Sequence, residues 1–400
     1  MIGLTCTTRT QLKGSRMNRI NRALSLLVLA GCLLQPSARG ARPEAGKDVR
    51  PIPDLAGKVL TVNGPVDPDA LGATMMHEHI FINQNHPSSS GPIEATRVGF
   101  YLKPLAMDML GAVIMGYKNR DNLILGSEDM AVRELEDYRK QGGGALVDAT
   151  SIGLGRDPRA LLRVSNTTGV HIIMGASWYT KSWHPQEMDR RSVESLTQEI
   201  VQDVTIGVDG SGIRSGIIGE VGTIGNPLTP NEIKVIRASG RASRITGAAV
   251  SLHTAAYAGT NDQHKILDLL ESEGADPGRV ILGHSDSLVK DMPLLTGLLE
   301  RGVYVEFDLL GEFAMLRKRV TAAHVGEDIL ELIKMGYLER ILLSQDVDRK
   351  IALKSYGGMG YSFVLEQFVP HLLKKGVTQA QIRTLVEANP HRVLTFDAPR

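Results

Sequence analysis

Six side chains of metal-ligand type stand at the ends of short apolar runs in this sequence: His77, His79, Glu220, His253, His284 and Asp346. In an extended strand, side chains alternate faces, so His77 and His79 point the same way and Glu78 points the other. A His-x-His pair alone is an ordinary local pattern. His253 or His284 alone reads as a hydrogen-bonded core histidine, and Asp346 alone as a helix cap. Their recurrence at matching strand ends changes the reading. Glu220 adds weight, because a carboxylate inside the apolar, glycine-rich run Ile217-Ile218-Gly219-Glu220-Val221-Gly222 is costly without a cationic partner. Imidazole nitrogen and carboxylate oxygen without thiolate suit zinc, with manganese, cobalt or iron as alternatives. Four histidines and two carboxylates can hold two divalent ions, and a metal-bridging hydroxide would then be the nucleophile. The expected chemistry is hydrolysis of an ester, lactone, amide or phosphoester bond.

These residues must be brought together by strands whose C-termini share one face. Eight apolar runs are spaced for that: 71–80, 144–150, 171–178, 216–223, 249–254, 280–286, 303–310 and 341–347. Helical patterns separate them, which is the signature of βα units around a parallel sheet. Eight units predict an α/β fold, a single-domain (β/α)8 TIM barrel, with catalytic groups at its C-terminal face. Helix signals agree locally. Ser127, Asp157-Pro158 and the capping box Thr229-Pro230-Asn231-Glu232 start helices, and Gly169 and Gly247 end them. About 60 residues separate the first run from the second, far more than a βα loop needs, so this insertion is expected to shape the active-site mouth.

A chain of 400 residues with 42% hydrophobic content can bury one large core. Its formal charge of +1, without a dense basic block, points to a small-molecule substrate and away from nucleic acid. Residues 1–50 read as a leader and linker, and 51–400 as the hydrolase barrel. From Met17, Asn18-Arg19-Ile20-Asn21-Arg22 supplies positive charge and Ala23 to Leu34 an apolar run too short to span a bilayer comfortably. Leu29-Ala30-Gly31-Cys32 resembles the bacterial lipobox, which implies lipidation of Cys32 and an exported, periplasmic or membrane-anchored protein. Ordinary export with cleavage after Ala38, or an uncleaved leader, are the alternatives. Cys6 and Cys32 are the two cysteines, so a cleaved chain could form no internal disulfide.

The order of these residues resembles the phosphotriesterase family of the amidohydrolase superfamily, from about Gly57 to Phe396. The resemblance runs through Val62-Asn63-Gly64-Pro65, Leu71 to His79, Val147-Asp148-Ala149-Thr150, Gly155-Arg156-Asp157, Ile218 to Gly222, Gly283-His284-Ser285-Asp286 and Ala388-Asn389-Pro390-His391-Arg392. It implies that His77, His79 and Asp346 hold the more buried ion, that His253 and His284 hold the more exposed one, and that Asp346 is the catalytic base. Well-known members bridge the ions with a carboxylated lysine. Glu220 in its place resembles the phosphotriesterase-related branch, which includes an amidase acting on an N-acyl amino acid analogue. Phe307-Asp308-Leu309 lacks the histidine that relays protons in the phosphotriesterases proper, so a lactonase, esterase or amidase is expected over an efficient organophosphate hydrolase. The resemblance also implies pocket walls at Trp178, Tyr179 and Tyr257, with Trp183 nearby, and a homodimer. The competing expectation is a non-catalytic, metal-containing binding lipoprotein on the same barrel.

Overall fold

The computed structural model describes residues 53–86, 91–254, 263–311 and 321–399. Cys32, the whole leader and Tyr257 lie outside the described residues. A short antiparallel hairpin, β1 (Val59–Thr61) and β2 (Gly64–Val66), precedes the first barrel strand, β3 (Ala73–Glu78). A second small antiparallel pair, β4 (Ile82–Asn83) and β5 (Ile124–Leu125), brackets the insertion. The remaining barrel strands are β6 (Gly143–Asp148), β7 (His171–Ala176), β8 (Ile217–Gly222), β9 (Val250–His253), β10 (Val280–Gly283), β11 (Tyr304–Phe307) and β12 (Ile341–Leu343). All eight runs read from the sequence therefore carry a strand. They form one parallel sheet in the order β12-β11-β10-β9-β8-β7-β6-β3, with helices between successive strands, and this is a (β/α)8 barrel.

Strand alternation sorts the apolar side chains into two layers. Leu146, Ile172, Met174, Val250, Leu252, Leu282, Val305, Phe307, Ile341 and Leu343 face outward and join the core under the helices. Met76, Ala145, Val147, Ile173, Ile217, Ala249, Ile281, Tyr304 and Leu342 fill the interior, closed below by Val393 and Leu394 of the last helix (Asn389–Leu394). The helices that clamp this arrangement start and stop where the sequence says. The Ser127, Asp157 and Thr229 side chains accept from the backbone N–H three residues on, and Gly169 and Gly247 take the left-handed conformation at φ 70° and 78°.

Two features position the site. First, β12 meets β3 through side chains. Ser344 Oγ accepts from His77 N and donates to Glu78 Oε1, while the Glu78 carboxylate also accepts from Gln345 N, Gln345 Nε2 and Val347 N. The backbone N–H of Asp346 donates to His77 O. Glu78 thus faces away from its histidine neighbours and ties the first strand to the loop that carries Asp346. Second, the insertion docks on the segment after β12. Leu105, Met109 and Val113 form a small core with Ile351, Asn122 accepts from Ile351 N, and Asp348 accepts from Gln84.

Candidate metal centre

His77, His79, Glu220, His253 and His284 converge at the C-terminal end of the barrel. Their approach departs from simple alternation. Met76 lies in the interior layer, yet His77 immediately after it also faces the interior, because the β3–β6 register shifts between Met75 and Glu78. Ile217 and Glu220 share the interior in the same way, across a register shift between Ile218 and Val221. His284 and Asp346 follow their strands with left-handed backbones, φ 56° and 52°. Non-glycine residues seldom adopt this region, and strained conformations concentrate at functional sites.

Glu220 sits at the centre. Its Oε2 is 2.7 Å from His253 Nδ1, 3.3 Å from His77 Nε2 and 3.9 Å from His284 Nε2, and its Oε1 is 3.5 Å from His79 Nε2. Two ligand-type groups therefore share it: His77, His79 and Glu220, and Glu220, His253 and His284. Asp346 stands beside them, with Oδ1 3.3 Å from His79 Nε2. The His77 and Glu220 side chains are almost wholly buried, whereas His253 and Asp346 keep 16% and 14% exposure, so an incoming molecule meets those two first.

The far side of every ring is held. His77 Nδ1 lies 3.3 Å from Glu306 Oε2, His79 Nδ1 lies 2.9 Å from Thr150 Oγ1, His253 Nε2 lies 3.2 Å from the Tyr179 hydroxyl, and His284 Nδ1 lies 2.8 Å from Asp308 Oδ1. The near-side atoms fit a divalent cation. His77 Nε2 is buried without a hydrogen-bond partner among the described residues. His253 Nδ1 and His284 Nε2 stand 2.8 Å apart and face one carboxylate oxygen, an arrangement that one shared proton satisfies poorly and a cation satisfies fully.

Electrostatics follow from burial and neighbours. Burial raises the Glu220 carboxyl, but His253 and His77 outweigh it and hold the group well below the usual carboxylate range. Burial disfavours charge on His284, yet Asp308 overcomes this and pushes its pKa up to about 10. Burial pushes Glu78 up to about 8 and, with Asp308 alongside, Asp286 up to about 8.

Sequence-predicted pocket residues separate. Tyr179 lies partly exposed against His253, ring centroids 4.6 Å apart. Trp178 is instead packed in the main core with the Arg191 guanidinium over its ring, because the strand-like step from Tyr179 turns it inward. Trp183 is half-buried against His86, 4.9 Å between centroids. Sequence reasoning missed Glu306, Thr150 and the bracing role of Glu78. The signal for Glu306 was available: Glu306 and Asp308 are carboxylates two residues apart in an apolar strand, the pattern that marked Glu220.

Against known proteins, a model described as the phosphotriesterase family matches residues 57–394. Over 355 residues the chain is 36% identical to an N-acetyltaurine hydrolase of Tetraodon nigroviridis, an alignment spanning 86% of this chain and 99% of that one. The fold superimposes on the crystal structure of a resiniferatoxin-binding protein from Rhodobacter sphaeroides with a TM-score of 0.79 and 36% identity, covering 85% of this chain and 96% of that one. It also superimposes on a lactonase from Listeria monocytogenes with a TM-score of 0.70 and 25% identity, covering 85% and 99%.

Proposed function

This chain belongs to the phosphotriesterase family and is a hydrolase, and from that premise we propose that it cleaves the amide bond of a small N-acyl amino acid or N-acyl aminosulfonate using two divalent ions, zinc first among the candidates. The observation that carries the reading is the convergence of His77, His79, His253 and His284 on one buried carboxylate, Glu220. Glu220 would be the ligand common to both ions, in place of a modified lysine. Ions held there would lower the pKa of water and polarise a scissile carbonyl.

The chain's own residues supply the rest. Asp346, at the open edge of the cluster, accepts the proton of the attacking water and delivers it to the leaving amine. Tyr179 holds His253 and forms a wall of the cleft. The relatives' names support an amide or lactone substrate, and the buried Leu309 after Asp308 leaves the end of β11 without a relay histidine. A lactone is the second reading, favoured by the likeness to the Listeria lactonase.

Protein reconstituted with zinc, manganese or cobalt would be assayed on N-acetyltaurine, other N-acyl amino acids, lactones, aryl esters and a phosphotriester. Turnover of N-acyl substrates above all others is the expected result. Lactone turnover alone would move the assignment to the second reading, and metal-loaded protein inert on the whole panel would replace catalysis with binding.

A further inference from the structure

Strand β11 and the residue that follows it place three interior-facing side chains at period two: Tyr304 in the apolar layer, then Glu306, then Asp308 just past the strand end. Both carboxylates are fully buried, and the titratable groups acting on Glu306 are His77, Asp308 and His284. A carboxylate in such a place needs a defined partner.

Asp308 holds one histidine through both of its oxygens. Its Oδ1 is 2.8 Å from His284 Nδ1, and its Oδ2 accepts the His284 backbone N–H at 2.9 Å. Glu306 is committed to the other, with Oε2 3.3 Å from His77 Nδ1, while its Oε1 has no partner among the described residues. Asp308 Oδ2 also lies 3.2 Å from His77 Nδ1, and with a lone pair to spare beside the His284 backbone contact it shares that nitrogen with Glu306. Gly283 makes room for this packing: a Cβ there would lie 3.3 Å from both His77 Nδ1 and Asp308 Oδ2, and 2.6 Å from Leu252 O. A carboxylate only accepts, so each pairing fixes the ring proton on Nδ1 and leaves Nε2 as the ligand atom. His77 Nε2 is the buried, unpartnered nitrogen that faces Glu220.

We infer that Glu306 is a positioning residue for one ion position alone, that of His77 and His79, whereas Asp308, in contact with both His77 and His284, positions a ligand of each ion. The inference rests on the metal-dependent reading above and adds a division of labour within it. Glu306 touches neither substrate nor ion, and it acts through the tautomer and orientation of His77.

Zinc binding by the full chain, titrated against a chelator of known affinity, tests this. Glu306→Gln keeps an acceptor oxygen and removes the charge, so it is expected to weaken one zinc position by roughly 10–100-fold and leave the other unchanged. The loss should persist in a His253→Ala background and vanish in a His79→Ala background, whereas Asp308→Asn should lower affinity in both. Glu306→Asp, which withdraws the oxygen by one methylene, reads the same position should the Gln variant fold poorly. A Glu306→Gln protein that binds two zinc ions with wild-type affinity, or one that loses affinity equally in both backgrounds, overturns the inference alone. Wild-type protein that binds no zinc, manganese or cobalt overturns the metal centre and this inference with it.

Discussion

At the lower end of the barrel interior, Met76, Val147, Ile173, Ile217, Ile281, Tyr304 and Leu342 fill the space between the strands. One level up, toward the C-terminal ends of the strands, stand His77, Glu220, His253, Glu306 and Asp308. The lower layer gains from burial in proportion to area and needs no partner. The upper layer carries acids and imidazoles out of water, a placement that is stable only with dense mutual pairing or bound cations. A fold that spends its lower layer on packing can keep its upper layer for ligands, and β11 shows both in Tyr304 and Glu306.

Substitutions in the two layers should therefore fail differently. His77→Ala should bring hydrolysis to background while far-ultraviolet circular dichroism stays native. Retention of wild-type turnover would show that the upper layer is structural. Ile281→Ala, in the lower layer, should cost about 2–5 kcal/mol of unfolding free energy by denaturant titration and leave kcat unchanged below the melting transition. A comparable loss of kcat without loss of stability would erase the distinction. Glu78→Gln probes the seam that joins the layers. Glu78 accepts four hydrogen bonds from the Ser344–Val347 segment, so its replacement should cost about 1–3 kcal/mol and lower kcat together, because the same segment carries Asp346.

Much of this was legible in the sequence. Apolar runs separated by helical patterns located all eight barrel strands, the caps at Ser127, Asp157 and Thr229 located helix starts, and the ligand types at strand ends marked the residues that converge on Glu220. Strict alternation could not place them fully. It sets Met76 opposite His77 and Ile217 opposite Glu220, whereas register shifts in β3 and β8 bring each pair to the interior. Such irregularities depend on neighbouring strands and leave no local mark. The left-handed backbones of His284 and Asp346 are equally silent, since sequence points to glycine or asparagine there. Trp178 and Tyr179 are adjacent and both aromatic, and the strand-like step between them sends one to the core and the other to His253, an order that their residue types alone do not give.

The central claim is that Glu220 joins two cation positions. Metal content of the purified chain, measured by plasma mass spectrometry before and after Glu220→Gln, tests it most directly. The account predicts close to two divalent ions per wild-type chain after reconstitution, at most one in the variant, and loss of hydrolysis with the missing ion. Equal metal content in both proteins, or full activity in wild-type protein stripped by a chelator, would contradict it.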